Sequence, residues 1–169
     1  MWSEAAAGPE SRLIDPAARL QHALDLAYSC LGKRDRTVAE VRHNLQAKRV
    51  EPDAIDSAIE ELQRQGYLDD ARYAIRFAED RRTLDAWGAD RIERKLLSVG
   101  VAPELIADAL QSRDAAGELD AAVEVLRRRF PAPPAEPRDR QRALGVLVRK
   151  GYELELAHDA LRAYVRDAA

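Results

Sequence analysis

Three histidines, one cysteine and a pair of adjacent aspartates are the residues of this chain best suited to chemistry. His22, His43 and His158 lie far apart, without the short spacing that brings two imidazoles onto one metal ion, and solvated or capping roles are expected for them. Cys30 follows Ser29 inside a helical stretch, and no base stands at the spacing of a nucleophile motif. A single cysteine makes no internal disulfide and no cysteine-rich zinc site, which fits a reducing cytosol; its expected role is small apolar packing. Asp69 and Asp70 are a candidate acid–base pair, yet they fall where a helix begins. Carboxylates there accept from free amides and favour the positive helix end. Gly32, Gly66, Gly88, Gly100, Gly117, Gly145 and Gly151 are scattered singly, so no loop is built to cradle phosphate. No catalytic, metal or cofactor site is expected.

Charge is the more informative pattern. The 27 Lys plus Arg against 30 Asp plus Glu exclude a uniformly basic nucleic-acid coat, but the charges come in blocks. Six basic residues oppose Asp35 and Glu40 between Lys33 and Arg49, and seven acidic residues oppose Arg64 between Glu51 and Asp70. A second acidic block spans Glu104 to Asp120. The densest basic block holds Arg127, Arg128, Arg129, Arg138, Arg140, Arg142, Arg149 and Lys150 against Glu136 and Asp139. Solvated faces with internal salt bridges account for some of this. The remainder suits a polyanion or a protein with an acidic groove, since basic clusters raise encounter rates and orient partners. The contacts expected are Arg127, Arg128, Arg129, Arg138, Arg140, Arg149 and Lys150, followed by Lys33, Arg34 and Arg36.

The elements that carry these charges repeat. Leu45, Leu96 and Leu147 lie 51 residues apart. The same offset links Val41, Ile92 and Ala143; Val50, Val101 and Tyr152; Ile59, Leu110 and Leu161; Ala58, Ala109 and Ala160; and Leu24, Ile75 and Leu126. Ala, Leu, Arg, Glu and Asp dominate, which favours helices over strands. Each unit parses into three helices by apolar spacing and punctuation. In the first, a helix from Ala17 to Leu31 stops at Gly32. A capping box of Thr37 with Glu40 starts the second, which runs to about Lys48, and Pro52 opens a third that Gly66 ends. The second unit predicts helices over Asp70–Arg82, Ala89–Val99 and Pro103–Ser112, and the third over Ala116–Phe130, Pro137–Lys150 and Glu153–Val165. The fold expected is all-α, three tandem three-helix repeats in an elongated curved array on the order of 60 to 80 Å long. Its parts are a flexible tail over 1–16, repeats over 17–66, 67–115 and 116–169, and an extended, exposed proline-rich connection over 131–137. The first 14 residues lack the basic start and apolar run of a signal peptide, and no membrane span is expected.

Gly66, Tyr67, Leu68, Asp69 and Asp70, followed by Arg72, Tyr73 and Ala74, resemble the central signature of the RecX family, regulators of the RecA recombinase. The flanks agree. Leu31, Arg34, Asp35, Arg36, Thr37, Glu40, Val41 and Leu45 resemble the family's first-unit motif, and Gly88, Arg91, Ile92, Leu96, Gly100, Val101, Ile106 and Leu110 its second. In the third unit Leu147, Arg149, Lys150, Gly151, Tyr152, Ala160 and Leu161 fit as well. The resemblance covers Ala17 to Tyr164. It implies three tandem three-helix units without enzymatic activity, a cytoplasmic protein that lies in the groove of RecA filaments on single-stranded DNA. There it suppresses filament growth, ATP hydrolysis and strand exchange, and so regulates DNA repair and recombination. A monomer is expected. Arg49 departs from the pattern, because Gly100 and Gly151 occupy its position in the other units, and the first unit is expected to end that helix differently. Two alternatives stand beside this reading: a helical DNA-binding protein acting without RecA, and a helical scaffold for some other protein.

Overall fold

A computed structural model describes residues 15–167. Among them are nine helices and no strand: α1 (Pro16–Leu31), α2 (Val38–Ala47), α3 (Pro52–Arg64), α4 (Asp70–Asp85), α5 (Ala89–Ser98), α6 (Pro103–Leu110), α7 (Ala115–Arg129), α8 (Pro137–Lys150) and α9 (Leu154–Asp167). Most of the expected tail lies outside the described residues, while Asp15 and Pro16 start α1: the Asp15 carboxylate accepts from the Ala17 amide, and Pro16 needs no amide partner. Among the described residues no helix is long and apolar enough to cross a membrane.

The chain forms two compact units, one ending at Tyr73 and one beginning at Ala74. In the first, α1 packs along α3 with α2 against both, around Leu24, Val41, Leu45, Ile55, Ile59 and Leu62. In the second, α7 packs along α9, with α8 closing a core that includes Leu126, Leu147, Tyr152 and Leu161. The Leu45, Leu96 and Leu147 series is fully buried, as are Val41, Ile92, Ala143 and the alanines Ala58, Ala109 and Ala160.

One expected core series fails. Leu24 and Leu126 are buried, but Ile75 is 42% exposed. The first helices of the repeats begin at Pro16, Asp70 and Ala115, intervals of 54 and 45 residues, whereas α3, α6 and α9 begin 51 apart at Pro52, Pro103 and Leu154. Connections of unequal length shift the first helix against the other two. Leu24, Ala78 and Val123 follow that corrected register, and all three are buried.

Arg49 supplies a second correction. It adopts φ +60°, in the same left-handed region as Gly100 at +81° and Gly151 at +91°. In all three repeats the next amide bonds back to the buried leucine: Val50 to Leu45, Val101 to Leu96 and Tyr152 to Leu147, each at 3.1 Å. This is one helix-ending motif used three times, and the first repeat bears its strain on an arginine. The proline-rich connection is also less open than expected. Pro134 is buried, its carbonyl accepts from Arg140 Nε at 3.3 Å, and the Phe130 carbonyl accepts from the Tyr164 hydroxyl at 2.5 Å.

Candidate partner-binding surface

The signature around Gly66 is built into the fold. Gly66 takes φ +77° to end α3, and Leu68 enters the first core. Asp69 accepts the Arg72 amide at 2.9 Å and so caps α4, as its position predicts. Asp70 instead reaches back, accepting the Val38 amide at the start of α2 at 2.9 Å. Burial raises the Asp70 pKa above the usual carboxylate value despite this bond, and nearby Asp69 and Glu40 add to the rise. Arg72 donates to the Gly66 carbonyl at 2.6 Å, while Tyr67 meets Tyr28 edge-on at 5.4 Å between ring centroids. Tyr73 is half-buried and Ala74 fully buried, so the motif chiefly joins α3 to α4.

The second repeat uses the same device. Gly88 opens α5 without a side-chain cap, and the Ala89 amide donates to Glu118 Oε1, from the first turn of α7, at 2.9 Å. Sequence reading misses both long-range caps, since nothing local marks a partner about thirty residues away. The last carbonyls of α8 meet the same helix start: Gly88 N donates to Lys150 O at 2.9 Å, Asp90 N to Gly151 O at 3.1 Å and an Arg91 guanidinium nitrogen to Arg149 O at 3.1 Å. A helix C-terminus thus faces a helix N-terminus, a favourable dipole arrangement. The Arg91 guanidinium also lies 4.1 Å from the centroid of the Trp87 ring. Arg82 is buried, donating to Ser112 Oγ at 2.6 Å and Leu110 O at 3.0 Å; burial, then Arg113, lowers its pKa.

The basic residues fall into groups. Arg34 pairs with Glu40 at 2.5 Å and Arg36 approaches it at 3.7 Å, so these two serve the α2 cap, while Lys33 is exposed. Burial alone would raise Glu40, but the Arg34 hydrogen bond, the Thr37 amide and both arginine charges hold its carboxyl below the usual range. Arg127 pairs with Asp167 and Arg128 with Glu124, each at 2.9 Å. Lys150 Nζ donates to the Asp85 carbonyl at 2.5 Å. Arg138 and Arg142, four apart, line one groove of α8 with Arg149. Arg140, two residues from each, faces elsewhere and lines a groove with His158, Arg162 and Arg166. Arg128, Arg129 and Lys150 line a third groove with Leu84, Asp85, Ala86, Val125 and Val146. Among the described residues no group of three His, Cys, Asp or Glu side chains is placed to hold a metal ion.

These features define an all-helical repeat protein whose last repeat displays several basic grooves. Family profiles for the first, second and third three-helix domains of RecX match residues 23–62, 69–110 and 116–161. The Regulatory protein RecX of Trichlorobacter lovleyi is 37% identical over 77% of this chain and 87% of its own length. That of Deinococcus radiodurans is 32% identical over 95% and 77%. The chain belongs to the RecX family. The crystal structure of RecX from Lactobacillus salivarius superposes with a TM-score of 0.77 at 19% identity, covering 88% of this chain and 97% of that one, and shares its fold. A second, described as the crystal structure of regulatory protein RecX, gives 0.73 at 20% identity over 99% and 81%.

Proposed function

We propose that this protein binds RecA filaments on single-stranded DNA in the cytoplasm, as a monomer and without catalysis of its own, and slows filament extension, ATP hydrolysis and strand exchange. Membership of the RecX family carries the reading. The grooves of the last repeat support it: Arg138, Arg142 and Arg149 converge on one, and Arg128, Arg129 and Lys150 on another. Charge is distributed unevenly over the repeats 17–66, 67–115 and 116–169, so that each makes a different contact, and several modest contacts combine on one filament and oppose subunit rearrangement. Arg127, Arg128, Arg129, Arg138, Arg140, Arg149 and Lys150 are the contacts on the last repeat; Lys33 is the exposed member of the first cluster.

The test is the single-stranded-DNA-dependent ATPase of RecA. Substoichiometric protein slows it, and Arg138→Ala with Arg142→Ala and Arg149→Ala weakens the effect while helix content stays normal. An unchanged ATPase across a wide concentration range at moderate salt overturns the reading. Tight duplex binding in RecA's absence, with a steep salt dependence, would instead favour the DNA-binding alternative.

A further inference from the structure

The buried residues of α4 in the second unit are Ala74, Ala78 and Arg82, at steps of four. Leu84 is about 200° from Arg82 around the helix and is 72% exposed. It does not stand alone. With Ala86, Val125 and Val146 it lines the apolar part of a groove of about 390 Å³, rimmed by Arg128, Arg129 and Lys150. Three cations there face one carboxylate, Asp85, which is already held by Arg81 at 2.5 Å; Arg128 is itself paired with Glu124 at 2.9 Å, which leaves Arg129 and Lys150 as the unbalanced charge. Arg129 pairs with no carboxylate among the described residues.

The wall of the groove is held in place. Ala86 takes φ +50°, a conformation unfavourable for alanine, and its carbonyl accepts from the Tyr152 hydroxyl at 3.2 Å. Lys150 Nζ fixes the neighbouring Asp85 carbonyl. A surface already ordered by such bonds binds without the entropic cost of ordering a loop. The lining contains no aromatic ring on which a base would stack, which disfavours single-stranded nucleic acid as the occupant.

From this pairing of an apolar floor with an excess of positive charge, we propose that the groove takes an acidic segment of a partner protein, anchored by one aliphatic or aromatic side chain against Leu84. Identifying that partner as a RecA filament subunit rests on the function proposed above; the chemistry of the groove does not. Flanking carboxylates meet Arg129 and Lys150, and the anchor covers Leu84, Val125 and Val146.

The experiment uses the full chain and two fluorescein-labelled peptides, Asp-Glu-Asp-Phe-Leu-Asp-Glu and the same core flanked by serines, with binding read by anisotropy. The acidic peptide is expected to bind about 10-fold tighter, and Leu84→Ala and Arg129→Glu each weaken it by a similar factor. Both side chains are exposed, so circular dichroism of the variants stays unchanged; Arg162→Glu, outside the groove, leaves binding as it was. Equal affinity for the two peptides, or undiminished binding by both groove variants, overturns the proposal. A photo-crosslinker in place of Leu84 then identifies the occupant on the assembled filament. Label on an acidic RecA segment supports the proposal, and label on DNA overturns it. Peptide binding without any slowing of the RecA ATPase leaves the groove standing and removes the function proposed above.

Discussion

Gly88→Ala isolates the junction between the second and third repeats. Its backbone at φ −80°, ψ 169° suits any residue, so the substitution adds no conformational strain. The added methyl would lie 2.4 Å from the Gly151 carbonyl oxygen, 2.5 Å from its carbon and 2.6 Å from the Tyr152 nitrogen. All are backbone atoms that no rotamer change moves aside. Restoring an ordinary contact of roughly 3.5 Å separates the two segments by about 1 Å. The Gly88–Lys150 and Asp90–Gly151 hydrogen bonds, at 2.9 and 3.1 Å, then stretch beyond bonding range. Two lost bonds at about 1 kcal/mol each, with the desolvation cost of buried groups left unpaired, make ~2–4 kcal/mol. For a unit of this size that corresponds to a fall in melting temperature of about 10–20 °C. Urea denaturation followed by Trp87 fluorescence measures the loss, and hydrogen exchange at the Asp90 amide locates it. Gly66→Ala is the control: a Cβ there meets nothing within 4 Å, leaving only the strain of φ +77°, about 1 kcal/mol. Wild-type stability in Gly88→Ala, with the Asp90 amide still protected, would refute the reasoning.

Arg49→Gly is expected to stabilise the first unit by about 1 kcal/mol, because it relieves a left-handed arginine at an exposed site; calorimetry checks the sign. Burial, then the Glu118 charge, pushes the Tyr152 hydroxyl from 10.0 up to about 12. A raised folded-state pKa means stability is intact below pH 10 and lost as pH rises through 12, about 3 kcal/mol in all. Tyr152→Phe abolishes that alkaline loss in denaturation curves taken between pH 9 and 12, at a cost of about 1 kcal/mol at neutral pH. Glu40 behaves in the opposite sense: its depressed pKa contributes stability above 4.5 that is lost as pH falls. Glu40→Gln therefore flattens the acid limb of the first unit's pH–stability profile, and an unchanged limb would assign acid sensitivity elsewhere.

Much of the fold is legible because helix ends carry local chemistry. Thr37 and Glu40 form both bonds of the expected capping box, Gly66 ends α3 in the left-handed conformation, and Pro52, Pro103 and Pro137 stand at helix starts. The 51-residue spacing holds wherever the connections conserve it, as between Leu45, Leu96 and Leu147. It misleads at Ile75 because apolar residues are frequent enough in a helical sequence to align by coincidence, and only connection lengths reveal the true register. Arg49 is opaque for a different reason: the leucine-to-valine bond that closes the helix overrides the residue's own preference. The arginines of the last repeat are easy to find, and helical spacing alone sends Arg140 away from Arg138 and Arg142; which residues of other helices share each groove emerges only from the packing. Leu84 gives no signal of its own, because a lone exposed leucine is ordinary; its meaning comes from the neighbours that the fold brings beside it.

The reach-back of Asp70 to Val38, and of Glu118 to Ala89, gives the chain a direction. During synthesis α2 stays short of an acceptor until the ribosome has passed the opening of α4, so each of the first two repeats is finished by the one translated after it. A chain cut at Gly66 keeps every helix of the first repeat yet removes Leu68 from its core and strands the Val38 amide, the lost cap alone costing about 1 kcal/mol. The boundary that preserves stability lies several residues further on, and the first compact unit does run to Tyr73. The third repeat meets the same need differently: α8 starts at Pro137, a residue with no amide to satisfy.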